Sequence, residues 1–166
     1  MNAIAALPTT AVVARILTGV LGKQVTATKA PVPMNMKIKA PRVFGVYRDR
    51  EKPITCVCVC DLPLSAYAGG AMLTFPACTI NDSLKAGNLE EGLLDTMQEI
   101  LNICAQFFND YGRQVFREIH TGPEKLPEDV GPALNAPAAR IDLSIAIAGY
   151  GSGQMAIFLG SERASN

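Results

Sequence analysis

The run ITCVCVCDL, residues 54–62, limits the possible folds more than any other stretch. Successive side chains of a strand project to opposite faces. Cys56, Cys58 and Cys60 therefore share one face, and Val57 and Val59 share the other. Neither face is suited to water. A strand apolar on both sides belongs in the middle of a sheet, with cover on both sides. The three cysteines cannot serve as a metal site. Neighbours on one face of a strand stand about 7 Å apart, whereas thiolates sharing a zinc must each lie about 2.3 Å from it. Nor can near neighbours on one straight strand close a disulfide. With Cys78 and Cys104 the count is five, and no CxxC pair occurs. The cysteines of this run read as small hydrophobes.

The 166 residues suit a single domain with its own core, here taken as 1–166 with a frayed tail at 161–166. Hydrophobic residues make up 49% and charged ones 18%, which argues against disorder. Lys+Arg and Asp+Glu are 15 each, so there is no basic footprint for nucleic acid. A near-neutral, apolar-rich surface favours self-association or a protein partner. The N-terminal MNAIAALPTTAVVARILTGVLG lacks a basic leader, is interrupted by Pro8 and carries Arg15 where a signal core would be unbroken. A signal peptide and a membrane span are rejected on these grounds, and a cytoplasmic protein is expected.

Thr9 or Thr10 can cap a helix running to Leu21, with Gly22 closing it. A short extended piece at 24–28 follows, then an irregular connection over 29–41 with three prolines. RVFGVYRD and the cysteine run form two strands joined through Asp49–Pro53. Pro63 opens a second helix, LSAYAGGAML, weakened by Gly69 and Gly70. NDSLKAGN reads as a loop, and a long helix follows over 91–110. RQVFREIH is extended, and 121–137 is a Pro/Gly-rich loop. ARIDLSIAIAG and QMAIFLG form a hairpin around GYGSG. GKQV at 22–25 recurs as GRQV at 112–115, each time after a helix and before a proline-containing loop and two strands. The expected fold is α+β: a mostly antiparallel sheet with packed helices, in duplicated helix–strand–strand–strand halves.

The long helix is amphipathic. Leu93, Met97, Ile100, Leu101, Cys104 and Phe108 fall on one side, and Asp95, Glu99, Asn102, Gln106 and Asn109 on the other. The polar side is ordinarily just the wet face. Two features mark it out. It has no Lys or Arg, so Asp95 and Glu99, four apart, repel. Asn102 is also a mediocre helix former at mid-helix.

Asp95-x-x-x-Glu99-x-x-Asn102 resembles the signature of the CheC/CheX phosphatases of bacterial chemotaxis, with Pro123 near the place of the signature's later proline. The resemblance implies hydrolysis of the aspartyl phosphate on a phosphorylated response regulator, a CheY-like receiver domain. It makes Asn102 the residue that orients the attacking water and Glu99 the one that pairs with a cation of the partner. Asp95 supports Glu99 or contacts the partner. Mg²⁺ is expected on the phosphorylated partner, and no metal or cofactor on this chain. Family members often have a small residue four positions after the asparagine. Here it is Gln106, in reach of the partner and a possible obstruction. Subtracting ninety maps Glu99 to Thr9 and Asn102 to Val12, so the first helix has no second site. That is the single-site CheX type, which goes with homodimers. The second reading is a non-enzymatic interaction module of the same superfamily, an adaptor or a flagellar-switch-like protein.

Other candidates are weaker. His120 is the only histidine and lacks partners for a triad or metal site. The glycines of GYGSG do not open a helix, as a phosphate loop must. Ser144 and Ser152 have no identifiable base. Lys37 and Lys39 read as solvated charges.

Overall fold

The computed structural model describes residues 2–164. Helix α1 (Ala3–Ala6) and helix α2 (Thr10–Leu21) lead into strand β1 (Val25–Lys29). Strands β2 (Arg42–Asp49) and β3 (Thr55–Asp61) follow, then helices α3 (Leu62–Met72), α4 (Ala77–Ala86) and α5 (Glu91–Ile103). A 3-10 segment, Cys104–Phe108, continues α5. Strand β4 (Gln114–His120), helix α6 (Val130–Asn135) and the hairpin β5 (Ala139–Ile147) and β6 (Gly151–Leu159) complete the chain.

One six-stranded sheet runs in the order β1-β5-β6-β3-β2-β4, with every neighbour antiparallel. Exchange β1 with β4, β2 with β5 and β3 with β6, and that order reads the same from the other edge. The duplication expected from GKQV and GRQV is thus present in the topology. Gly22 and Gly112, which open the two copies, both take a left-handed φ, of 67° and 82°. Each half sends its first strand to pair with the other half's hairpin, so neither half completes its sheet alone.

The cysteine run is β3, paired with β2 and β6, and every residue from Thr55 to Cys60 is buried. Its cysteine face meets α2, α3 and α5 through Leu17, Leu64, Met97 and Leu101. Its valine face is covered by Met34 and by Val130 and Ala133 of α6. Each large side chain so buried contributes about 1.5–3 kcal/mol. The double cover comes from the chain itself, so this strand's two apolar faces do not call for a dimer. Burial pushes the Cys56 thiol up to about 12 and raises that of Cys104, which keeps both protonated and inert at neutral pH.

Two ionic clamps hold this second cover. Arg48 donates Nε and Nη2 to Asp129 at 2.8 and 3.0 Å, and Thr55 Oγ1 adds a bond to the same carboxylate at 2.6 Å. Asp129 lies just ahead of α6, so α6 is pinned to the sheet. The Arg48 guanidinium holds the Asp129 carboxyl down at about 2. The second clamp is Arg140, which pairs with Asp142 and donates to the Met34 carbonyl. Asp142 in turn accepts from the Met34 N–H.

Several expectations need correction. NDSLKAGN is not a loop: 77–86 is helix α4, closed by left-handed Gly87. Its inward residues are Ile80 and Ser83, and Ile80 sits directly against Gly70, where a Cβ would collide with it. The glycine pair that weakens α3 as an isolated helix thus makes room for α4. The long helix ends as α-helix at Ile103, not 110. The 121–137 loop contains a 3-10 turn at Pro123–Lys125 and helix α6. Strand β6 already begins at Gly151, which pairs with Ile147 of β5, and Gly153 lies beneath the start of α3, too close for any side chain. Ala3–Leu21 is, among the described residues, one stretch long and apolar enough to cross a membrane, contrary to the expectation of none. It divides into α1 and α2 at Pro8, and Val13, Leu17 and Leu21 pack into the core. Of the 161–166 tail, Arg163 is tied by its N–H to the Pro53 carbonyl at 3.0 Å; residues 165–166 lie outside the described residues.

Candidate functional site

Helix α5 is set on the sheet by its apolar side. Leu93, Met97, Ile100 and Leu101 are buried, as the wheel predicts. Leu101 rests on Gly45 of β2, where its methyls come within 3.1 Å of the position a Cβ would take. The buried Tyr47 hydroxyl donates to the Leu101 carbonyl at 2.5 Å and ties the end of α5 to β2. Tyr47 is itself packed against Phe108 and Phe116, with ring centroids 4.6 and 5.6 Å away. The helix is thereby fixed one residue before Asn102.

The opposite side carries Asp95, Glu99 and Asn102, all exposed. Asp95 and Glu99 form no ion pair with any described residue. Glu99 and Asn102 border a shallow depression of about 310 Å³, together with Gln98, Phe116 and Arg117. The helix gives this depression one wall and edge strand β4 gives the other. Asp95, one turn nearer the helix start, is not among the residues lining it.

Gln106 goes elsewhere. A 3-10 helix advances about 120° per residue against about 100° for an α-helix, so the change of winding after Ile103 alters the phase of residues 104–108. Gln106 is exposed and lines a second groove with Ile103 and with Arg15, Ile16, Gly19 and Val20 of α2. The wheel put it on the same face as Asn102; the structure places it beside α2, outside the Asn102 depression. Pro123 also stands apart. It is exposed in the turn after β4, at the end where Thr121 and Leu94 line a common cavity near the start of α5.

Sequence reasoning missed Arg117 and Phe116. β4 pairs with β2 as Tyr47↔Phe116 and Val46↔Glu118, so Arg117 is the extra residue of a bulge. Bulges redirect a side chain and recur beside functional sites. The signal was present in the apolar spacing: Phe116 and Ile119 both pack into the helix-side core although they are three apart. A regular strand would put them on opposite faces.

The first helix offers no second site in any register. α2 reads TAVVARILTGVL, without a carboxylate or an amide side chain. His120 lies on the α6 side of the sheet with its Nε2 buried, without a hydrogen bond and 3.7 Å from Glu118. Among the described residues, no three His, Cys, Asp or Glu side chains converge as a metal site.

No family model matches the chain, and no curated protein matches it. Solved structures do. The chain has the fold shared by chemotaxis CheX structures and the flagellar proteins FliM and FliY. The FliM middle domain from Vibrio alginolyticus aligns with a TM-score of 0.60 at 13% identity, over 89% of this chain and 88% of that one. Thermotoga maritima FliY gives 0.60 at 14% identity, over 89% and 82%. CheX from Borrelia burgdorferi, solved in complex with CheY, BeF3 and Mg²⁺, gives 0.53 at 13% identity, over 89% and 92%. The mostly antiparallel α+β architecture expected from the order of elements is the one observed.

Proposed function

We propose that this protein is a phosphatase for the aspartyl phosphate of a response-regulator receiver domain. The observation that carries the reading is the pair Glu99 and Asn102, one turn apart, exposed on a rigidly seated helix at the rim of one depression, with Gln106 turned aside. An acyl phosphate within a receiver domain lacks only a nucleophile held in line. An amide both donates and accepts hydrogen bonds and does not titrate, so Asn102 can hold a water from two sides. Positioning of this kind supplies most of what an enzyme can add to phosphoryl transfer. Water attacks phosphorus and a new P–O bond forms. The bond from phosphorus to the aspartyl oxygen breaks, the carboxylate is restored, and the water's protons leave with inorganic phosphate. Glu99 pairs with a cation of the partner and fixes the docked geometry. Asp95 lies one turn away and supports that docking charge. Mg²⁺ belongs to the partner in this reading, and action on a receiver domain implies a cytoplasmic location. A homodimer is the assembly that the resemblance implies, and sedimentation of the purified chain tests it.

The experiment follows radiolabelled phosphate on a panel of receiver domains from the same organism. The wild-type protein accelerates its loss from at least one of them, and Asn102→Ala does not. A regulator that binds but keeps its phosphate at the basal rate would instead support the non-enzymatic module.

A further inference from the structure

Among the described residues, Arg117 is the one cation in the walls of the Glu99–Asn102 depression. It is exposed, it is the extra residue of the β4 bulge, and it makes no ion pair within 4.0 Å with any described residue. Glu99 lines the same depression, yet the two are not closed on each other. Opposite charges left apart at one rim that also holds an amide form a pattern that a partner can match. Neighbouring Glu118 is already committed to Arg48 at 2.8 Å on the other face of the sheet. A regular strand would give Arg117 no settled place facing α5. The bulge supplies one.

We infer that Arg117 is a second partner-reading residue: it binds a surface carboxylate of the docked receiver domain, while Glu99 binds a cation of the same partner. This rests on the phosphatase reading and adds the rule for orienting the partner. Two charges of opposite sign around the water-holding amide admit one orientation and penalise its reverse by like-charge contacts. A rim charge of this kind acts on encounter and affinity, and its effect weakens with salt.

Steady-state dephosphorylation at low and moderate ionic strength tests it. The variants are Arg117→Ala, Arg117→Glu and Arg117→Lys, with Asn102→Ala as the inactive control. The exposed Arg117 side chain makes no ion pair with a described residue, so its replacement leaves the fold intact. Arg117→Ala raises KM about tenfold at low salt and leaves kcat within about twofold. Arg117→Glu raises KM further, and Arg117→Lys stays close to wild type. The salt dependence of KM flattens in the alanine variant. If Arg117→Ala and Arg117→Glu match wild type while Asn102→Ala is inactive, this inference fails and the phosphatase reading stands. A fall in kcat with KM unchanged also overturns it. If the wild-type protein dephosphorylates no receiver domain, both fail together.

Discussion

Helices α2 and α5 precede the two copies of the same strand arrangement, and both bury leucines against the helix-side core, Leu17 in one and Leu101 in the other. Their outer faces differ. α2 carries a single charge, Arg15, and no amide, whereas α5 exposes Asp95, Gln98, Glu99 and Asn102. The strands that follow differ as well. β1 pairs with β5 in unbroken register from Val25 to Lys29, while β4 breaks register against β2 and turns Arg117 toward α5. Duplication supplied two equivalent places on one scaffold. Only the second half has both polar side chains on the outer face of its helix and a bulge on the strand beside it.

The largest expected effect separates the two helices by activity. Asn102→Ala lowers the dephosphorylation rate by at least about 100-fold, the scale of a lost positioning contact, with the thermal midpoint unchanged. Stability tests the scaffold side of the same comparison. Leu17→Ala and Leu101→Ala each cost about 2–5 kcal/mol in denaturant melts, because both leave cavities in one shared core. A cost confined to one helix would show that the halves are not equivalent in packing. Tyr47→Phe comes next, at about 1 kcal/mol, since it removes the buried hydrogen bond to the Leu101 carbonyl. The same variant loosens the seat of Asn102 and reduces activity.

On the far side of the sheet, Asp129 sets a pH window. Its carboxyl is held at about 2 by Arg48, below its unfolded value of about 4. The lowered value means that the stabilisation is fully present above about pH 4 and is lost as the pH falls toward 2. The loss is of order 1 kcal/mol, allowing for the partial exposure of the pair. Asp129→Asn removes that slope from an acid titration of stability. The smallest effect is at Gln106: its replacement by alanine changes activity by less than about twofold, because it lines the α2 groove and not the Asn102 depression.

Much of this was legible in the sequence, for identifiable reasons. The cysteine run announced a central strand because alternation left no polar face. The threonine pair at 9–10 and Gly22 bounded α2 because capping chemistry is local: of the two candidates it is the Thr9 hydroxyl that accepts from the Val12 N–H, at 3.2 Å, and Gly22 is left-handed. The helix wheel separated buried from exposed residues of α5 up to Ile103. What escaped depends on contacts distant in the chain. α4 is a helix because Ile80 finds Gly70, and nothing within NDSLKAGN records that. The change to 3-10 winding after Ile103, beside the Tyr47 contact to Leu101, moved Gln106 off the predicted face. The bulge left a trace in the spacing of Phe116 and Ile119, but its consequence for Arg117 requires the β2 partner.

In the proposed phosphatase, one helix of the duplicated pair does the chemistry. The most direct measurement of this is the rate of phosphate loss from a prephosphorylated receiver domain, with wild type, Asn102→Ala and Val12→Ala compared side by side. Val12 is the counterpart of Asn102 in the ninety-residue repeat. The expected result is that Val12→Ala matches wild type and that Asn102→Ala falls to the receiver's own rate. Full activity in Asn102→Ala, or an equal loss in both variants, would contradict it.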